Sequence, residues 1–429
     1  GHAALVIPHG TSWGNYTPPG SSWNKQLKGA MHNDRYQKLI EIYSGHGNSE
    51  IHRPWRAAMI DADGTAHCPE PSENYLPSCW QAGEIIRTRC LKAGTDAKTC
   101  DGRAEQARSL WIANGVRGIE VVAGFDPDDW LDAGQCRDCG FQPTFSHRPG
   151  STSQAIAAMS NFDEPDRKGH PRRFRFGYIA SSDNHSARAG TGYKEVVRRG
   201  VMTDATGMTT GITAKLFADT GGEKLPYPVD PTDASVALFS NGETDRMVSY
   251  LYTGGLVAVH AQGRNRGAIW DALQRKETYA TSGPRILLWF DLVGADGTRH
   301  PMGSEALSSD APLFEVRALG SYEQKPGCPP YAETGLGTDR ITRLCAGECY
   351  NPSDTRRPIT RIEIVRIRPQ SEPGQPLGER IDDPYLVKTC PADGSGCALS
   401  SIRRLSLTTA PPCRWTTALP RIPTTPCGP

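Results

Sequence analysis

Residues 175–185 read RFGYIASSDNH. A β-prone run, FGYIA, ends abruptly in two serines, and Asp183 and His185 follow at a spacing of two. In an extended chain, residues two apart project to the same side, so this carboxylate and this imidazole can share one ligand. Oxygen and nitrogen donors together suit zinc, manganese or iron, whereas calcium and magnesium favour oxygen alone. A D-x-H is a short pattern, and its bland reading is a turn-capping Asp183 beside an ordinary loop histidine.

Two other segments end in the same way. ALVIPHG (4–10) closes on His9, with Pro8 stiffening the strand end and Gly10 permitting a close approach. KLIEIYSGHGNSE (38–50) carries Glu41 inside its apolar run and His46 and Glu50 after it. Glu41 lies between Leu39, Ile40, Ile42 and Tyr43, where an unmatched carboxylate would pay a heavy desolvation cost. A metal ion would relieve that cost. So would a salt bridge to an Arg or Lys, or an outward-facing edge position. Apolar strands covered on both faces are typical of parallel sheets, and barrel enzymes collect their chemistry at C-terminal strand ends.

Beyond the D-x-H, SARAGTG (186–192) resembles an anion cradle, with Arg188 beside Gly190 and Gly192 and with Lys194 close behind. It lacks the G-x-x-x-x-G-K pattern of a P-loop. His46 and Glu50 lie on a glycine-flanked loop over the same face and read either as facing a substrate or supporting those that do, or as part of a solvated loop. His260 and Arg285 are candidates for the site wall, and Tyr279 for core packing. No G-x-S-x-G occurs, which argues against a serine hydrolase. Asn15 and Asn184 match the glycosylation sequon, and the second match is treated as chance because a glycan there would block the site.

Between these segments, GEIIRTRCLKAG (83–94) and DGRAEQARSLWIANG (101–115) have helical character, the second with Asp101 as expected N-cap and Gly115 as stop. Strands alternating with helices imply an α/β core. Residues 61–150 are rich in Cys, Gly, Pro and Asp and read as an elaborated insertion. From Arg285 the pattern changes to period-two alternation, in RILLWFDLVG, PLFEVRALG and RIEIVRIRP, which predicts a small β-sandwich. The end of the chain is Pro/Thr-rich without periodicity. The expected organisation is therefore an α/β barrel over 1–284, a mainly β domain over 285–400 and a tail over 401–429.

In bulk, 48 Lys+Arg against 47 Asp+Glu leave a net charge of +1, which disfavours a nucleic-acid partner. No apolar run approaches the roughly 20 residues that cross a bilayer, and the opening GHAALVIPHG lacks signal-peptide zones. Because the chain opens almost inside an apolar strand without an initiator Met, residues are expected to have preceded Gly1. Thirteen cysteines, several close in sequence, point to local disulfides in a periplasmic or secreted protein. The close pairs are Cys68 with Cys79, Cys90 with Cys100, Cys345 with Cys349 and Cys390 with Cys397, and Cys136 and Cys139 form a lone C-x-x-C.

Taken together, ALVIPHGTSWGNYTPPGSSWNKQL, LIEIYSGHGNSE, DAGQCRDCG, RFRFGYIASSDNHSARAGTGYKE, AIWDALQRKETYATSGPRI and LVKTCPADGSGC resemble a bacterial family catalogued as a domain of unknown function. That family is related to the PHP (polymerase and histidinol phosphatase) metal-dependent hydrolases, and the resemblance runs to about Cys397. It implies a distorted, PHP-like β/α barrel holding two or three divalent ions (Zn, Mn or Fe) and acting on small anionic substrates such as phosphate esters. It also implies that His9, Glu41, Asp183 and His185 are metal ligands. In the leading reading of the residues themselves, Arg188 would hold the anion and His46 would pass a proton to the leaving group. Glu50, Arg188 and Lys194 would border the substrate. The chain departs from the superfamily in lacking an H-x-H near its start, and after about Ser401 it departs from the β-rich sequence of the family. A phosphoesterase using a metal-activated water is the leading expectation. The rivals are a metallohydrolase of non-phosphate esters and a non-catalytic carbohydrate- or partner-binding protein on a decayed barrel, with Trp13 and Trp23 stacking on sugars.

Overall fold

The computed structural model describes residues 3–9, 11, 23–44, 47–53, 57–73, 75–124, 127–130, 149–182, 223–233, 255–307, 312–345, 347–382, 385–389 and 400–406. Within these, the apolar runs that bracket the candidate ligands become neighbouring strands. β1 (Leu39–Ser44) pairs in parallel with β3 (Gly177–Ala180), with Ile40 opposite Tyr178 and Glu41 opposite Ile179. A register shift between Glu41 and Tyr43 marks an irregularity in β1. A short β2 (Gly47–Asn48) returns antiparallel along β1. The N-terminal segment runs beside β1 on the edge away from β3. There the Val6 amide donates to the Tyr36 carbonyl (2.9 Å) and the Glu41 amide donates to the Pro8 carbonyl (3.1 Å). The two contacts advance together along both chains, so the segment lies parallel to β1.

β4 (Leu256–Val259) and β5 (Thr278–Thr281) form an antiparallel pair connected through helix α4 (Arg266–Gln274), whose N-cap Asn265 accepts from the Ala268 amide. This pair sits alongside β3, where Thr278 Oγ1 donates to the Tyr178 carbonyl (2.8 Å). One face of β1 and β3 is covered by α3 (Ser153–Ala158), and Ile40, Ile42, Ile156, Met159 and Phe174 form a buried cluster there. Trp23, expected to be exposed for sugar stacking, instead packs edge-on against Phe174 (5.3 Å) and Phe176 (6.2 Å) at the border of this cluster. Trp13 lies outside the described residues.

The described residues therefore mix helices and strands in several small sheets and form no closed barrel. Stretches 183–222 and 234–254, which the barrel expectation would use for further wall, lie outside them.

Part of the stretch read from sequence as an insertion, 61–150, forms a helical hairpin. α1 (Ser78–Lys92) and α2 (Ala97–Asn114) pack around Ile86, Ala107, Trp111, Ile119, Val122 and Trp130. Gly94 makes the turn at φ +81°, a conformation that a Cβ would penalise. The N-cap of α2 is Asp96, whose side chain accepts from the Thr99 amide, and not Asp101. Asp101 sits inside the helix and pairs with Arg87. The helix starts earlier because Asp96 presents the same capping oxygen one turn sooner.

After β5, the TSGPRI segment leads into a four-stranded antiparallel sheet of order β7-β6-β8-β13. Its strands are Leu287–Val293 (β6), Arg299–Pro301 (β7), Leu313–Leu319 (β8) and Ser400–Ser406 (β13). The expected start of the tail, at 401, falls inside β13, and residues 407–429 lie outside the described residues. Two-stranded sheets β9 (Tyr322–Gln324) with β10 (Pro352–Arg356), and β11 (Arg361–Ile364) with β12 (Tyr385–Thr389), accompany it. Val316 and Ala318 of β8 and Ile362 and Ile364 of β11 share one buried cluster. The helices in this part are short, α5 (Pro330–Leu336) and α6 (Thr338–Cys345).

Disulfides join Cys68 to Cys79, Cys90 to Cys100 and Cys328 to Cys349. The first two are the local pairs expected. The third replaces the expected Cys345 to Cys349 link, because the Cys349 amide donates to the Gly327 carbonyl and so sets Cys349 against Cys328. Cys136, Cys139, Cys390 and Cys397 lie outside the described residues. Three such bridges suit an oxidising, extracellular environment. No helix among the described residues is long and apolar enough to cross a membrane.

Candidate functional site

Glu41 is the pivot of the site. It is 5% exposed, on a strand flanked on one edge by the segment that ends in His9 and on the other by the strand that leads into Ser181. Its Oε2 meets His9 Nδ1, and its Oε1 accepts a hydrogen bond from Ser181 Oγ. Both contacts are charge-assisted and relieve the desolvation that burial imposes on the carboxylate. Among the described residues no Arg or Lys, the alternative partner considered from sequence, pairs with it. His9 differs from Glu41 in exposure: its side chain is 42% accessible and that of Glu41 6%. The outer end of the arrangement is therefore the imidazole.

Backbone contacts hold the three residues in place. The Ser181 amide donates to the Tyr43 carbonyl (3.0 Å), which ties the end of β3 to β1 just past the irregularity. Gly255, entering β4, fits against this junction. A Cβ built there would lie 2.6 Å from Ala180 Cβ, 2.8 Å from Tyr43 Cδ1 and 3.0 Å from the Ser181 carbonyl oxygen. A glycine is needed for β4 to approach so closely.

Glu50 takes a different place from His9 and Glu41. Asn48 Oδ1 accepts from the Glu50 and Ile51 amides, and the Ser49 and Glu50 carbonyls accept from the Ser153 and Gln154 amides at the start of α3. The loop is thus clamped onto the helix. Burial pushes the Glu50 carboxyl above the usual glutamate range. Tyr178 lies near it, its hydroxyl pushed up to about 12 by burial and then by Glu50. Tyr178 pairs with Ile40, and Glu41 with Ile179, so strand alternation puts Tyr178 and Glu41 on opposite faces of the sheet.

The two wall candidates near the second sheet are also placed. His260 Nε2 donates to the Leu288 carbonyl (3.0 Å) and its ring lies near Tyr279 and Trp289, so it links β4 to β6. The Tyr279 hydroxyl donates to the Ile286 carbonyl (2.8 Å) and accepts from the Leu288 amide (3.2 Å), a packing role as expected. The Arg285 guanidinium stacks over Tyr350 at 3.7 Å, on the β-rich side.

The structure thus brings His9 and Glu41 together and leaves Glu50 apart. His46, Asp183, His185, Arg188 and Lys194 lie outside the described residues, so their expected roles rest on sequence. Among the described residues no three His, Cys, Asp or Glu side chains gather as a metal site. Ser181, which contacts Glu41, is the residue of this arrangement that sequence reasoning missed. The signal was present: Ser181 precedes Asp183 by two, the same spacing that separates Asp183 from His185.

No curated protein and no solved structure matches the chain. Residues 166–311, which carry β3, Ser181, the D-x-H, β4, α4, β5 and β6, match the sequence profile of a family described as "Protein of unknown function (DUF3604)".

Proposed function

We propose that this chain is a metal-dependent hydrolase on a PHP-like barrel, acting on phosphate esters. The observation that carries the reading is the meeting of Glu41, within β1, with His9 of the adjacent parallel segment and with Ser181, one residue past the end of β3, whose sequence continues into Asp183 and His185. Imidazole and carboxylate donors in this combination fit a borderline divalent cation such as zinc, manganese or iron. His9, Asp183 and His185 are the candidate ligands, with Glu41 in contact with His9. A cation bound there supplies a water of lowered pKa and polarises the scissile group.

The residues of the chain have separate tasks. Arg188, in its glycine-flanked turn, holds the anionic part of the substrate as a planar fork, with Lys194 beside it. His46 hands a proton to the leaving group. Clamped against α3 beside Tyr178, Glu50 is given no substrate contact in this reading.

The test is metal content by plasma mass spectrometry on the purified chain and on Asp183→Ala and His185→Ala, with p-nitrophenyl phosphate hydrolysis measured alongside. Near-stoichiometric Zn, Mn or Fe that falls in the variants together with hydrolysis supports the proposal. Hydrolysis that survives both metal stripping and the two substitutions refutes it. Activity on carboxylate or sulfate esters, with none on phosphate, would leave the metal and remove the phosphoesterase.

A further inference from the structure

We infer that Ser181, Glu41 and His9 form a positioning relay in which Glu41 orients His9 and is not itself a metal ligand, so that His9 presents Nε2 to a divalent cation. The inference deepens the proposed function. It depends on that reading for the cation but not for the relay.

Both carboxylate oxygens of Glu41 are already engaged: Oε1 accepts from Ser181 Oγ and Oε2 meets His9 Nδ1. A carboxylate accepts, so the ring proton resides on Nδ1, and the neutral imidazole carries its lone pair on Nε2. Nδ1 faces Glu41, so Nε2 lies on the ring edge directed away from the buried carboxylate. The exposure gradient runs the same way, from a Glu41 side chain 6% accessible to a His9 side chain 42% accessible. A ligating histidine commonly donates its second ring N–H to a carboxylate, which fixes the tautomer and raises the basicity of the ligating nitrogen. Here the carboxylate is itself fixed. Ser181 is tied to the Tyr43 carbonyl and packed against by Gly255, so the hydroxyl that holds Glu41 rests on two strands.

The alternative is that Glu41 ligates the cation directly. The two differ in what Glu41→Gln does. Glutamine keeps a carbonyl oxygen that accepts from Nδ1–H but is a poor ligand.

The experiment records long-range proton–nitrogen correlations of the histidine rings in the metal-stripped full chain at neutral pH, with His9 assigned through His9→Gln. Zinc chloride is then titrated into the same samples. His9 is expected as the Nδ1–H tautomer, with zinc shifting Nε2. Glu41→Gln should keep the tautomer and lose no more than roughly tenfold in zinc affinity. Glu41→Leu should release the tautomer and lose roughly 10- to 100-fold, the usual range for an outer-shell partner. Should Glu41→Leu not fold, Ser181→Ala serves instead. It should give a mixed tautomer and weaker zinc binding, and Ser181→Thr should restore both.

An Nε2–H ring in the parent, a zinc shift at Nδ1, or abolition of zinc binding by Glu41→Gln would overturn the relay. An Nδ1–H ring with no response to zinc would support the relay and remove the metal-dependent reading. The two failures are therefore distinguishable.

Discussion

Replacing Gly255 with alanine tests whether the junction behind the site is as tight as its geometry requires. Gly255 has no positive φ, so alanine meets no backbone strain, and restricting the unfolded chain would by itself stabilise the fold by about 0.4–1 kcal/mol. Against this, the new methyl would lie 2.6 Å from Ala180 Cβ, 2.8 Å from Tyr43 Cδ1 and 3.0 Å from the Ser181 carbonyl oxygen. The tyrosine ring can turn aside. Ala180 and the Ser181 carbonyl are fixed to β3, so relief needs β3 and β4 to separate by several tenths of an ångström. Overpacking of this kind costs about 1–3 kcal/mol, which, set against a mid-range gain of about 0.7 kcal/mol, leaves a net loss of about 0.3–2.3 kcal/mol. Urea unfolding followed by far-UV circular dichroism should show a lower midpoint with an unchanged slope. Hydrogen exchange should place the loss locally, with the Ser181 amide, bonded to the Tyr43 carbonyl, exchanging faster. A variant as stable as the parent, or more stable, would refute the close approach and remove the support it lends to Ser181.

Two further predictions follow from the stapled hairpin and the clamped loop. Opening the Cys90 to Cys100 disulfide with serines releases a loop of sequence separation 10, and chain entropy alone predicts a loss of about 2.7 kcal/mol, read as a lower urea midpoint. An unchanged midpoint would show that the hairpin does not depend on the bridge. Glu50→Gln concerns pH: burial raises the folded-state pKa of Glu50 above its ordinary value of 4.5. The folded protein therefore holds that proton more tightly than the unfolded chain, so the associated stability is fully present below 4.5 and lost as pH rises through the folded value. Glutamine removes the penalty, so Glu50→Gln should raise the melting temperature at pH 8 and make little difference at pH 4. A melting temperature at pH 8 that is equal or lower would contradict the burial.

The apolar runs around Glu41 and Ser181 are legible in the sequence because β1 and β3 are covered, and covered strands carry continuous hydrophobic residues. The helical hairpin is legible from its helix-favouring residues and the stops at Gly94 and Gly115. Two local assignments shifted in the structure. The α2 cap moved to Asp96 because two aspartates five positions apart both satisfy the capping preference, and only packing selects between them. The Cys349 partner moved to Cys328 because a ladder of backbone bonds, invisible in cysteine spacing, sets the two chains side by side.

By itself, the sequence determined that a carboxylate at 41 sits in an apolar strand, that candidate ligands end several such strands, and that some close cysteines are spaced to pair. A local pattern can carry each of these, since burial periodicity and loop length are properties of neighbouring residues. Only the tertiary structure decided what meets Glu41. His9 reaches it across 32 positions and Ser181 across 140, and which strand lies on which edge of β1 is settled by long-range packing. The same register placed Tyr178 and Glu41 on opposite faces of the sheet, because alternation fixes a side chain's face only once the pairing is known.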